Sequence, residues 1–258
     1  MEIHSTAIVD SAAEIDKGVK IEAYAVIKGN VKIKKGTTIG HHAYIEGPTE
    51  IGENNKIFQF ASIGSPPQDL KYKGEDTKLL IGNGNIFREF VTINRGTPTG
   101  NGYTQIGNRN FFMAYSHVAH DCVVEDEVVL ANNATLAGHI LVQKRAIIGG
   151  LSAVHQFSRI GAYAMIAGKT GIVKDVPPYM LASGPRAKLF GLNVIGLERN
   201  GFTKEEINAL KKAYNILFKR KSKFSDAVDT ISKELSNYKV IRFLLDFLKD
   251  SKRGITLG

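Results

Sequence analysis

Aliphatic residues recur every six positions along the first two-thirds of the chain. From Ile3 the frame runs through Val9, Ile15, Ile21, Ile27, Ile33, Ile39, Ile45, Ile51 and Ile57 to Ile63. It pauses, then resumes at Ile81, Phe87 and Ile93. After a second pause it slips by one. It then runs from Ile106 through Phe112, Val118, Val124, Leu130, Leu136, Val142, Ile148, Val154, Ile160 and Ile166 to Ile172. A small residue often stands four places later, as Ala43 does after Ile39 and Ser152 after Ile148. Period six matches neither the 3.6-residue helix nor simple two-residue alternation. It matches a short strand and a turn, repeated. Three such units make a triangular coil of eighteen residues, and stacked coils place parallel strands about 4.8 Å apart. The aliphatic side chain points inward and the small one fills the corner beside it. Each coil caps the apolar edge of the next, so stability accumulates between neighbours. Twenty-six positions in three runs exclude chance alternation in an ordinary sheet.

The two pauses, Ser65–Lys78 and Gly96–Gln105, are rich in Pro, Gly and polar residues and read as loops leaving the coil. Long loops on a rigid scaffold often carry function, although a tolerated surface insertion has the same appearance. The six-residue pattern stops at Val176-Pro177-Pro178. Thr203 and Glu206 then form a capping box, and Ile207, Leu210, Tyr214, Leu217 and Phe218 follow at helical spacing. Phe224/Val228/Ile231/Leu235 and Ile241/Leu244/Leu245/Leu248 predict two more helices. The expected domains are a mainly β, parallel β-helix over 1–182, with insertions at 65–78 and 96–105, and a C-terminal α-helical domain over 183–258.

Charge adds a question about partners. The 258 residues carry a formal net charge of +9. From Gly201 onward there are 13 Lys or Arg against 7 Asp or Glu, so most of the excess lies in the helical tail. Nucleic acid, phosphorylated small molecules and acidic proteins would all suit a basic surface. The tail lacks the interleaved aromatics of a nucleic-acid reader. It is either a solvated helix face or a docking surface for an acidic partner. No apolar run approaches the ~20 residues of a membrane span, and the N-terminus has no basic and apolar leader pattern. The single cysteine, Cys122, falls at the small inward position and fits a reducing compartment. The expectation is a cytoplasmic protein.

Four of the seven histidines, His117, His120, His139 and His155, lie within 39 residues. His120 and Gln156 are 36 residues apart, two full coils, and both stand two places after an inward aliphatic residue. They should share a ridge, about 10 Å apart along the axis. Imidazole titrates near neutrality and suits general-base work. Asp121 follows His120 directly, as an orienting carboxylate could. Neighbours on a strand point to opposite faces, so the pair works only on a turn. The second and third places after the aliphatic residue fall near a coil corner, which meets that condition. Metal binding is the rival reading, since histidines from adjacent coils can hold zinc. No nucleophilic serine motif or phosphate-binding glycine loop stands out.

Finer motifs narrow the hexapeptide superfamily. They are Gln59–Gly64 (QFASIG), Gln68–Tyr72 (QDLKY), Val118–Cys122 (VAHDC), Leu130–His139 (LANNATLAGH), Ala153–Phe157 (AVHQF) and Asp175–Tyr179 (DVPPY). In this order they closely resemble the acyl-[acyl carrier protein]:UDP-N-acetylglucosamine O-acyltransferases, which begin lipid A biosynthesis. The resemblance spans nearly the whole chain, both loops and the tail included. It implies a left-handed coil, a handedness that period six alone does not decide. It also implies transfer of an (R)-3-hydroxyacyl group from the phosphopantetheine of acyl carrier protein to the sugar 3-position, with no metal or other cofactor. His120 then matches the general base, Asp121 its orienting partner, and the Gly138 N–H the oxyanion donor. Gln68, Asp69 and Lys71 match acceptor- and acyl-binding positions. His117, His139, Gln156, Asn193 and Arg199 match contacts to the sugar nucleotide, His155 a conspicuous family position, and Gly168 the end of the acyl groove. Glycine at 168 leaves room for a long acyl chain. The resemblance further implies a homotrimer with sites between neighbouring β-helices, and gives the basic tail acyl carrier protein as its partner.

Three positions depart from the family pattern. Asn94 replaces a histidine often found beside the acceptor, Ile195 an acidic residue of some members, and Asn200 a second basic residue after Arg199. Asn94 raises the alternative of a 3-amino UDP-sugar acceptor, giving an amide. A zinc hydratase resembling the γ-class carbonic anhydrases and a non-catalytic β-helix scaffold are the readings from other classes.

Overall fold

The computed structural model describes residues 2–219 and 223–258. Short strands, most of two residues, stack into three parallel sheets of eleven, nine and eight strands. These are the first, second and third faces of a left-handed parallel β-helix. Register repeats every eighteen residues away from the insertions, as in Ile21 beside Ile39 and Leu136 beside Val154. Of the twenty-six inward positions, all are buried except Ile3, Val9 and Ile15, which belong to the first coil and have no coil beneath them.

The turns explain why this sequence coils. The third residue after the inward aliphatic one adopts positive φ at position after position, for example Phe60 (φ 60°), Asp121 (59°), His139 (61°) and Leu151 (59°). A left-handed conformation costs a non-glycine residue roughly 1–2 kcal/mol. Here its N–H is free to reach the coil below. His139 donates to the His120 carbonyl at 3.0 Å and Leu151 to that of Asn132 at 2.9 Å. At the corner between the third and first faces, asparagines take the place of small apolar residues. Asn55 Oδ1 accepts from the Asn85 N–H at 2.8 Å, Asn85 Oδ1 from the Asn110 N–H at 2.8 Å, and Asn110 Oδ1 from the Val128 N–H at 2.7 Å.

Both insertions leave the coil at one corner. The first connects Ser62–Ser65 on the second face to Lys78–Ile81 on the third, and the second connects Thr92–Asn94 to Tyr103–Ile106 one coil later. The expected loop 96–105 is therefore shorter than its composition suggests. Tyr103–Gln105 pair in register with Lys78–Leu80 and lengthen the third face, because the neighbouring insertion supplies a strand edge to pair with. Beyond Gly171–Ile172, Met180–Ser183 and Lys188–Leu192 extend the first face, the latter antiparallel. The 182/183 division expected from sequence thus falls inside a strand.

Four helices follow: α1 (Val194–Arg199), α2 (Lys204–Phe218), α3 (Phe224–Leu235) and α4 (Lys239–Lys249). The capping box is present at α2: Thr203 Oγ1 accepts from the Glu206 N–H, and the Glu206 carboxylate from the Thr203 N–H. Helix α1, one and a half turns long, is too short to leave a period in the sequence. No helix among the described residues is long and apolar enough to cross a membrane.

Candidate active site

The corner between the second and third faces gathers most of the candidate residues. On successive coils it presents the two insertions, then His120-Asp121, Gly138-His139 and Gln156-Phe157. These residues and both insertions border an open groove of about 780 Å³, lined by Gln68, Asp69, Leu70, Lys71, Thr99, His120, His139, Gln156 and Phe157. The shared ridge expected for His120 and Gln156 is therefore present.

The pair His120–Asp121 sits on a turn, and the left-handed backbone of Asp121 folds its side chain back toward its neighbour. His120 Nδ1 lies 2.7 Å from Asp121 Oδ2. The carboxylate is completely buried, and further donors reach it. They are the Thr97 hydroxyl at 2.6 Å and the N–H groups of Thr97 and Asn101 at 3.1 and 2.9 Å. Burial, the largest single influence, pushes this carboxyl up; the hydrogen bonds from His120 and Thr97 together outweigh it, and the group ends below its ordinary value. An ionised Asp121 accepts the Nδ1 proton of a neutral His120 and leaves Nε2 with its lone pair free.

Gly138 lies beneath that imidazole. A Cβ at this position would come within 2.6 Å of His120 Cε1 and 2.8 Å of Nε2, so only glycine admits the ring. The Gly138 N–H finds no acceptor among the described residues, which leaves a donor beside the free ring nitrogen of His120. His139 packs edge-on to His120 at 5.0 Å and stacks on Phe157 at 4.5 Å. Its pKa is lowered, first by burial. His117, on the second face, is hydrogen-bonded to Thr92 Oγ1 at 2.7 Å and is likewise lowered, by burial and then by His120. Both are neutral near pH 7. Cys122 is buried with its thiol pushed up to about 12, as its inward position predicts.

Other expected residues lie elsewhere. His155 is exposed at the end of a strand on the second face. Asn94 is buried at the root of the second insertion, its amide donating to the carbonyls of Ser65 and Pro66 at the root of the first while Oδ1 has no partner among the described residues. Gly168 is exposed on the corner between the first and second faces. Asn193 caps α1, and its Nδ2 donates to Tyr163 O on the corner between the third and first faces; Arg199 ends the same helix, exposed. Within one chain these residues stay on three separate edges of the prism. Sequence reading missed Thr97 and Asn101, which lie outside the six-residue frame and leave no periodic signal. It also missed Phe157, although this residue stands one coil after His139 in the same turn position.

His120, Asp121 and His139 offer ligand atoms within 4.8 Å of one another, a spacing a metal ion could use. Both oxygens of Asp121, however, already accept bonds from backbone and hydroxyl donors that a cation would have to displace. This donor set suits an imidazole–carboxylate pair better than a metal centre.

Known proteins agree with this architecture. The family model described as Bacterial transferase hexapeptide (six repeats) matches residues 12–47 and 103–138. The model described as Udp N-acetylglucosamine O-acyltransferase, Domain 2, matches residues 175–256. The acyl-[acyl-carrier-protein]–UDP-N-acetylglucosamine O-acyltransferase of Thermodesulfovibrio yellowstonii is 57% identical over 254 residues, covering 98% of either chain. Its counterpart from Neisseria gonorrhoeae is 53% identical over 253 residues, with the same coverage. The solved UDP-N-acetylglucosamine O-acyltransferase of Moraxella catarrhalis RH4 superposes with a TM-score of 0.97 at 46% identity, covering 99% of this chain and 100% of that one.

Proposed function

This chain belongs to the acyl-[acyl-carrier-protein]–UDP-N-acetylglucosamine O-acyltransferase family, and on that premise we propose that its chemistry runs on the His120–Asp121 pair at the loop-bearing corner. The enzyme moves an acyl group from acyl carrier protein to UDP-N-acetylglucosamine in lipid A biosynthesis. His120 Nε2 takes the proton of the sugar 3-hydroxyl as its oxygen attacks the thioester carbonyl. Negative charge gathers on the carbonyl oxygen, where the Gly138 N–H meets it. The tetrahedral intermediate collapses, the C–S bond breaks, and the imidazolium returns its proton to the leaving thiolate. Every proton is carried by this chain's own residues, and no metal enters. Asp121 holds the Nδ1–H throughout and stabilises the transient imidazolium.

The observation that carries this reading is the 2.7 Å His120–Asp121 contact over a glycine that no other residue could replace without displacing the ring. Replacing His120 with alanine tests it. Transfer of a hydroxyacyl chain from carrier protein to UDP-N-acetylglucosamine, followed by mass spectrometry, falls by 10³-fold or more if His120 is the base. Turnover near wild type removes it from that role.

The acyl chain is a 3-hydroxyacyl group in this reading, bound with Gly168 at the far end of its groove. The site is completed by neighbouring copies in a homotrimer, and the protein works in the cytoplasm. Two features support assembly. Gly168, Asn193 and Arg199 lie on other edges than His120, and apolar groups wait uncovered. Leu70 is fully exposed at the tip of the first insertion, and Tyr24, Phe60, Phe90 and Tyr115 form part of an exposed ring stack on one edge. The basic tail supplies the surface for the acidic carrier protein. A 3-amino sugar is the second reading, and it rests on Asn94 standing where the family often has a histidine. Turnover of the two UDP-sugars side by side decides, and a strong preference for the 3-hydroxy sugar ends the amine reading.

A further inference from the structure

The turn position held by Asp121 is open to solvent on the coils above. Phe157, two coils on, is half exposed, and His139 is partly so. Asp121 alone is buried there, because the second insertion folds over it. That loop is closed by bonds within itself and to Lys78 of the neighbouring strand. The N–H groups of Gly100 and Gly102 donate to the Thr97 carbonyl, Gly96 N–H donates to Lys78 O, and Lys78 N–H to Gly102 O. It also approaches the carboxylate more closely than a side chain would permit. A Cβ on Gly100 would lie 2.3 Å from Asp121 Cγ. From the other side, the Asp121 N–H donates to Thr104 Oγ1 at 2.8 Å.

We propose that the second insertion is a clamp on the catalytic carboxylate and that Thr97 is its positioning residue. Thr97 is 1% exposed, and its hydroxyl and N–H both reach Oδ2, the oxygen that also receives His120 Nδ1. These bonds occupy one flank of Oδ2 and leave one direction for the imidazole. They fix both the aim of the ring and the proton on Nδ1. The hydroxyl also draws off part of the carboxylate's charge, which tempers its hold on the imidazolium formed during transfer. The proposal rests on the reading of His120 as the base.

The test is a pair of substitutions, Thr97→Val, which keeps the shape, and Thr97→Ser, which keeps the hydroxyl, assayed with carrier-bound hydroxyacyl chain and UDP-N-acetylglucosamine. Valine keeps the shape and loses the donor. Its kcat falls about 10-fold, the scale of one hydrogen bond to a charged group, while KM for both substrates stays within about twofold. The acid limb of the kcat/KM profile moves to higher pH, because a carboxylate with one donor fewer holds an imidazolium more tightly. The other titratable groups near the pair, His117, His139, Asp69 and Lys71, are unchanged in both variants, so the difference between valine and serine reports on the hydroxyl. Serine restores both rate and profile. The downfield Nδ1–H resonance of His120 shifts in the valine variant and not in the serine one, a reading that needs no turnover. Wild-type kcat and an unmoved acid limb in a folded Thr97→Val protein overturn the clamp. His120→Ala, run alongside, fails separately: if it turns over normally, the base assignment falls whatever Thr97 does.

Discussion

A single atom decides much at this site. Adding a methyl group at Gly138 would press on His120 Cε1 and Nε2 at once. Gly138→Ala is expected to lower kcat by 10²-fold or more with little loss of thermal stability, because the turn itself has no positive φ to forbid alanine. A calorimetric scan beside the kinetic assay checks both halves. His117 gives a prediction about pH. Its folded value is lowered by burial, while in the unfolded chain it returns to about 6.5. The unfolded state therefore binds more protons below that value, and stability falls as pH drops from 6.5 toward the lowered folded value. Asp121, lowered from 3.8, adds its own loss only under more acid conditions. Urea midpoints at pH 7 and pH 5 should differ less in His117→Gln than in wild type. At this scale sequence pointed well to His120, Asp121 and Cys122, since each has a defined place in the six-residue frame. It could not point to Thr97, whose importance comes from a loop folding back across the coil.

At the scale of elements, the coil is held by what repeats at its corners. The inward aliphatics supply the apolar column, and the asparagines at one corner supply a ladder of hydrogen bonds between coils. Asn85 is the middle rung. Its Oδ1 accepts from Asn110 N–H, and its Nδ2 donates to Asn55 Oδ1 and Gly107 O. Asn85→Ala leaves the buried Asn110 N–H and the Gly107 carbonyl without their partner, while Asn55 Oδ1 keeps the residue-85 N–H, and should cost about 1–3 kcal/mol. Chemical denaturation measures it, and a change within about 0.5 kcal/mol would mean that the rungs are independent of one another. The two insertions were legible as breaks in the frame. That they emerge from the same corner on successive coils follows from counting in eighteens through the breaks. That the second loses three expected loop residues to a strand did not follow, because pairing depends on the edge its neighbour provides.

For the molecule as a whole, the distribution of site residues over three edges predicts how it assembles. In one chain His120 and Arg199 lie on different corners. If each site takes them from two copies, His120→Ala and Arg199→Ala are each impaired alone but complement when mixed. In a trimer that mixes the two variants about one site in three has both residues intact, and activity recovers toward that level. Co-expression with two different affinity tags, followed by assay of the doubly tagged species, checks it. No recovery places the whole site within one chain.

Sequence by itself determined the coil, the inward column, the corner that bears His120 and Asp121, and the three longer helices of the tail. All of these are written in periodicities of six or 3.6 residues, which local geometry converts directly into direction in space. Its likeness to a known family also foretold the reaction that the comparisons bear out. Tertiary structure alone decided what those periodicities do not encode. It buried Asp121 under a loop, laid an imidazole over Gly138 with a free N–H beside it, and sent Gly168, Asn193 and Arg199 to other edges. The physical reason is one of range. A repeat fixes where each side chain starts, but a clamp or a closed pocket depends on which distant segments come within hydrogen-bonding distance, and that is set only when the coils have stacked.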